Sequence, residues 1–232
     1  MSSDWLAFWD SPHSIYVNAR HKDVHYRLIA KEIAALVPSR EARVLNYGSG
    51  EALHDDDVAG AAGEVLLCEP APSVRGALKA RFAGHPKIRV MAPHEVAQLP
   101  PHSLDLVILQ SVAQYLTAAE TDALFVMFRR LLKADGLLVV GDVITPDVPA
   151  AADAVALLRF GAANGFFVAA AWGLLRTFLS DYRRLRAHLG LTRYAEAAMI
   201  DKLAAAGFAA RRAPANIGHN QARMAFLARP AP

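Results

Sequence analysis

The run Val44-Leu45-Asn46-Tyr47-Gly48-Ser49-Gly50 constrains this chain more than any other segment. A short apolar stretch passes straight into a glycine turn. Glycine lacks a Cβ, so such a turn can be tight and its backbone can approach a ligand closely. A strand that enters a glycine turn before a helix is how open α/β sheets build a nucleotide crevice at the carboxyl ends of their strands. Glu69 follows, at the end of a second apolar run. An acid there can accept hydrogen bonds from both ribose hydroxyls of an adenosine.

The rest of the chain keeps the same rhythm. Residues 20–36 place Val24, Leu28, Ile29, Ile33 and Leu36 on one helical face, and Pro38 stops that helix. Strands are predicted at 43–47, 64–68, 88–91, 104–109 and 137–144. Helices are predicted between them at about 51–61, 73–82 with Ser73 as N-cap, 94–98 and 117–132. Asp135-Gly136 reads as the turn before the fifth strand. This alternation implies a doubly wound, mostly parallel sheet with helices on both faces. Beyond it lie a long apolar helical segment at 150–190, a helix at 195–206, and two closing strands at 208–213 and 222–228.

Composition narrows the class. Apolar residues make up 54% of the 232-residue chain, so extended disorder is excluded. The net charge of +3 comes with arginine clusters at Arg176, Arg183, Arg184 and Arg186 and at Arg211 and Arg212. Such clusters usually decorate solvated faces, so nucleic acid is the less favoured partner. A single cysteine, Cys68, permits no intrachain disulfide and suits a reducing cytoplasm. The first residues lack a basic run, so they do not read as a secretory signal. The apolar window 160–175 is too short to span a bilayer.

The turn itself discriminates between cofactors. A dinucleotide fingerprint wants Gly or Ala where Leu53 stands, and Glu51 would repel a phosphate at the start of the following helix. A nicotinamide oxidoreductase is therefore disfavoured. A cofactor without phosphates fits better, with an amino-acid carboxylate and ammonium met around the turn.

With VLNYGSG, CEP, SLDLVILQSVAQYL and LLKADGLLVVGDV in this order, the chain resembles the class I S-adenosylmethionine-dependent methyltransferase family over residues 43–145. The resemblance implies an α/β fold with a doubly wound, seven-stranded, mostly parallel sheet and an antiparallel last strand. It implies S-adenosylmethionine as cofactor and S-adenosylhomocysteine as product. Gly48, Ser49 and Gly50 would hold the methionine part, with Asn46 and Tyr47 beside them. Glu69, with Pro70, would hold the ribose. Ala92, Pro93 and His94 would flank the adenine. Gln110, Ser111, Gln114 and Tyr115 would face cofactor and acceptor. The family most often has an acid where Asn46 stands; an amide can accept a hydrogen bond there but brings no charge.

Residues 1–42 are expected to form a helical segment over the cofactor pocket, and 43–232 the methyltransferase domain. Tyr16, Asn18, Arg20 and His21 are candidates for the cover. A helical lid at about 147–193, between strands five and six, presents apolar surface. That favours an apolar small-molecule acceptor: lipid-like, aromatic or polyketide-like. A cofactor-binding protein without that activity, peripheral to a membrane, is the alternative. The apolar segment is also compatible with a homodimer. His21, His25 and His219 are candidate bases, with Tyr16 and Tyr115 as positioners. The His21/His25 pair lacks the glutamate of a zinc-protease motif and reads as a polar helix face or pocket wall. His54-Asp55-Asp56-Asp57 reads as a solvated helix face, so no metal is expected.

Overall fold

A computed structural model describes residues 3–11, 15–178 and 190–232. Seven strands form one sheet: β1 (Arg43–Tyr47), β2 (Glu64–Cys68), β3 (Ile88–Met91), β4 (Leu104–Gln110), β5 (Leu132–Val143), β6 (Phe208–Arg212) and β7 (Met224–Pro230). Their order is β3-β2-β1-β4-β5-β7-β6. The first five pair in parallel, and β7 runs antiparallel to both β5 and β6.

The strands are apolar on both faces because helices cover both. Leu45, Leu66, Leu109 and Val140 point to one face, where they meet Phe125 and Phe128 of α6 (Ala118–Leu131). Val44, Leu67, Ile108 and Val139 point to the other. There they meet Ile33 of α2 (Ala19–Ala34) and Val58 of α3 (Asp55–Ala61). Local signals set the helix starts. Asn18 Oδ1 accepts from the His21 amide at 2.8 Å and caps α2. Thr117 and Glu120 form a reciprocal capping box on α6.

Four boundaries differ from the expectation. The helix after the glycine turn begins at Asp55, because the turn continues through Ala52 in a left-handed conformation (φ 44°). Ser73 does not cap α4 (Pro72–Arg81). Pro72 takes the first helical position, and the Ser73 amide instead donates to Asp10 at 2.6 Å. Asp135-Gly136 lies inside β5, where the register against β4 shifts between Leu104 and Leu106. The long apolar segment is two helices, α7 (Ala150–Asn164) and α8 (Phe167–Phe178), separated at Gly165, whose φ is 74°. Of the arginine cluster and the lid, residues 179–189, with Arg183, Arg184 and Arg186, lie outside the described residues.

Helices α7 and α8 are tied to the body. Arg223 makes a two-point ion pair with Asp153 of α7 at 2.8 and 3.1 Å, and Asn220 adds a bond at 2.9 Å. Gly173 of α8 packs against Val17; a Cβ there would stand 2.3 Å from a Val17 methyl. Phe167, Val168 and Trp172 stay exposed. Among the described residues no helix is long and apolar enough to cross a membrane.

Candidate active site

The chain leaves β1 in one direction toward β2 and β3 and later enters β4 on the other side. A crevice opens at the carboxyl ends of the strands where the order reverses. It holds a cavity of about 240 Å³. Its floor is polar, with Asn46, Ser49, Asp55, Glu69, Gln110 and Asp142; its wall is apolar, with Leu6, Trp9, Ile15, Ile29 and Val112.

The glycine turn bends toward β2, with the Gly48 and Ser49 amides donating to the Cys68 carbonyl at 2.7 and 3.2 Å. Gly48 (φ 75°) has no room for a Cβ, which would lie 2.4 Å from a Val112 methyl. At Gly50 (φ 57°) a Cβ would lie 2.8 Å from the Tyr26 hydroxyl. That hydroxyl accepts from the Glu51 amide at 3.0 Å and is hydrogen-bonded to Tyr16. Tyr26 therefore links the covering segment to the turn. Glu51 is neutralised by Lys22 at 2.7 Å.

Glu69 closes the other side of the turn. Its carboxylate accepts from the amides of Gly50 at 2.9 Å and Ala71 at 2.8 Å. Burial pushes its pKa up, and those two bonds oppose the rise. Each carboxylate oxygen retains a further lone pair, open to a hydroxyl donor.

Asp55 is buried, contrary to the solvated face expected of the 54–57 run; Asp56 and Asp57 are the exposed members. Its Oδ2 accepts from Asn46 Nδ2 at 3.3 Å. Burial raises its pKa to about 6. Sequence reasoning missed Asp55 because neighbouring acids point in different directions on a helix, and only packing decides which points inward.

Ser111 directly follows β4 and Asp142 is the last residue but one of β5, and both adopt the left-handed backbone (φ 58°). Such strained non-glycine residues gather at functional sites. A β-bulge between Val140 and Val143 turns Asp142 into the cavity, where it accepts from Ser111 Oγ at 2.9 Å. Asp142 was not singled out in the sequence; nothing in LLVVGDV distinguishes it from a strand residue. The Ser49 hydroxyl and the side-chain carbonyls of Gln110 and Gln114 are buried without a protein partner. Orphaned polar atoms around a cavity call for a polar ligand.

The remaining candidates divide. Tyr16, Pro70 and Tyr115 line the cavity; Tyr115 packs on Trp5 and Trp9 of α1 (Ser3–Trp9). Tyr47 does not line it: strand alternation turns its ring to the opposite face, against Phe128. Pro93 and His94 begin α5 (Pro93–Ala97), outside the lining. Arg20 reaches away and donates to the Asn164 carbonyl at the end of α7.

His21, His25 and His219 converge, with ring centres 5.8–6.3 Å apart. His25 lines the cavity, whereas His21 and His219 stand behind it, stacked on Phe166 and Phe160. His21 Nδ1 accepts from the Val17 amide at 3.3 Å. Burial lowers all three pKa values, His21 to about 4 and His25 to about 3. They are neutral at pH 7. Among the described residues, no group of three or more His, Cys, Asp or Glu is placed to hold a metal ion.

The family model for a methyltransferase domain matches residues 45–140. Comparison with curated proteins gives no match. Several solved structures share the fold. One is a SAM-dependent methyltransferase of Leishmania major (14% identity, TM-score 0.61, 97% of this chain and 81% of that one). Another is DhpI in complex with S-adenosylhomocysteine (12%, 0.61, 98% and 95%). Human N-acetylserotonin methyltransferase with SAM is a third (14%, 0.56, 90% and 52%). Residues 45–140 thus carry a methyltransferase domain, and the structures that share its fold include one in complex with S-adenosylhomocysteine and one with S-adenosylmethionine.

The residues present fit that cofactor. The cavity's charged lining consists of Asp55, Glu69 and Asp142, with no Lys or Arg among the described residues. This potential suits a ligand carrying a sulfonium and an ammonium, and it opposes phosphates.

Proposed function

We propose that the protein transfers a methyl group to an apolar small molecule that attacks through a hydrogen-bond-donating N–H or O–H group. The supporting observation is the cavity itself: an apolar wall from α1, α2 and the covering segment faces an acidic floor. An apolar body suits that wall, and excluding water favours an in-line displacement that depends on alignment. The floor has acceptors in excess, which suits a nucleophile that donates a hydrogen bond and disfavours acceptors bearing carboxylate or phosphate.

S-adenosylmethionine, when bound, supplies an electrophilic methyl on a sulfonium. The chain's residues align the nucleophile and accept its hydrogen bond, and its proton passes to solvent once the new N–C or O–C bond has formed. Among the candidate bases His21, His25 and His219, the roles divide by position. His25 faces the cavity as a neutral imidazole and receives the acceptor's hydrogen bond, while His21 and His219 position it. Tyr16 packs over this cluster, with ring centres 5.3 Å from His21 and 5.5 Å from His25. Gly48, Ser49 and Gly50 cradle the methionine part and Glu69 holds the ribose. Gln110, Ser111 and Tyr115 border both ligands. The exposed face of α8 is the surface that would meet a membrane or a second copy.

The test is methyl transfer from labelled S-adenosylmethionine to matched naphthyl probes: 1-naphthylmethylamine, 1-naphthol and 1-naphthoic acid. Turnover of the amine or the phenol, with the acid inert, is expected. Preferential methylation of the acid would overturn the reading.

A further inference from the structure

The carboxylates around the glycine turn are not equally satisfied. Glu51 is paired with Lys22 at 2.7 Å. Glu69 accepts two backbone amides at 2.9 and 2.8 Å. Asp142 accepts the Ser111 hydroxyl at 2.9 Å. Asp55 is only 4% exposed, and its hydrogen bond is a single long one of 3.3 Å from the neutral amide of Asn46. The nearest guanidinium, that of Arg81, donates to the Glu51 and Ala52 carbonyls. A buried carboxylate held by one neutral donor is an unfavourable arrangement unless a cation completes it. Both Asp55 and Asn46 line the cavity beside Gly48 and Gly50.

We infer that Asp55, presented by the Asn46 amide, is the anionic anchor for the ammonium group of the cofactor's methionine part. The inference rests on S-adenosylmethionine occupying this crevice. Asn46 then acts as a positioning residue: its Nδ2 holds the carboxylate and its side-chain oxygen is left to accept from the same ammonium. Asp55 thereby supplies the charge that strand one lacks at its tip.

Calorimetric titration of the full chain with S-adenosylmethionine, S-adenosylhomocysteine and 5′-methylthioadenosine tests this. The last keeps the nucleoside and lacks the amino-acid end. In Asp55→Asn, affinity for the first two should fall roughly ten- to hundredfold, the value of a hydrogen bond to a charged group. Affinity for 5′-methylthioadenosine should stay within about twofold, because that ligand makes no ammonium contact. The ligand-free variant should melt no lower than the wild type, since a poorly compensated buried charge has been removed. The double variant N46D/D55N keeps one acid and one amide on the floor and should regain affinity for S-adenosylmethionine. It carries the same comparison should Asp55→Asn not fold. Equal loss of all three ligands in Asp55→Asn, or unchanged affinity for S-adenosylmethionine, would overturn the inference. A wild-type protein that binds none of the three would instead sink the cofactor reading on which it rests.

Discussion

At the scale of single residues, the crevice is built from positions where an ordinary side chain is impossible. Gly48 is the clearest: its backbone is left-handed and its missing Cβ leaves space that a Val112 methyl fills. Gly48→Ala combines a left-handed alanine with a clash in a packed corner, and should cost ~2–4 kcal/mol in urea unfolding. Alanine at Gly60, which has open space and an ordinary backbone, should be neutral or slightly stabilising and serves as the control. Equal effects at the two positions would show that the turn relaxes freely. That Gly48, Gly50 and Glu69 gather around one turn was legible in the sequence, because glycine and a strand-end acid have few other uses in that order. Asp55 and Tyr26 were not legible. Each becomes a site residue only when α2 and α3 pack beside the turn, and no local pattern records that contact.

At the scale of elements, the first four parallel strands read clearly because each is short, bounded by turn residues and largely apolar, whereas β5 begins at Leu132, ahead of the expected 137. The helices of the body were found by their period, within a few residues. The misplacements have physical causes. Pro72 moved the start of α4, so Ser73 lost its capping position. Asp135-Gly136 carries a turn signal, but a register shift in β5 absorbs it within the strand. The bulge at Gly141–Asp142 is invisible in a run of apolar residues, although it aims a carboxylate at the cavity. The lid read as one long helix because its composition stays apolar throughout. Only the left-handed Gly165 reveals the break.

At the scale of the molecule, the histidine cluster couples the covering helix, the lid and the β6–β7 loop. His21 and His25 come from α2, His219 from that loop, and Phe160 from the lid stacks on His219 with ring centres 4.4 Å apart. Their folded pKa values lie below the ordinary 6.5, His21 at about 4 and His25 at about 3. The unfolded chain therefore binds more protons as pH falls below 6.5, and stability is lost from there toward pH 4. Asp55 acts in the opposite sense, because its folded pKa of about 6 lies above the ordinary 3.8 and favours the folded state as pH falls. Glu69 and Asp142, whose pKa values burial also raises, act with Asp55 and reduce the histidine-driven loss between pH 7 and pH 5, which is read as the slope of the urea midpoint against pH. His25→Gln removes one titrating group and should flatten that slope. An unchanged slope would mean that the cluster admits protons without opening.

All three scales converge on the crevice. We propose that there Glu69 grips the ribose while the turn from Gly48 to Gly50 faces the methionine part. A crystal structure of the protein grown with S-adenosylhomocysteine measures this directly. Both ribose hydroxyls should lie within hydrogen-bonding distance of the Glu69 carboxylate. A ribose bound elsewhere in the cavity, with Glu69 left to its two backbone amides, would contradict it.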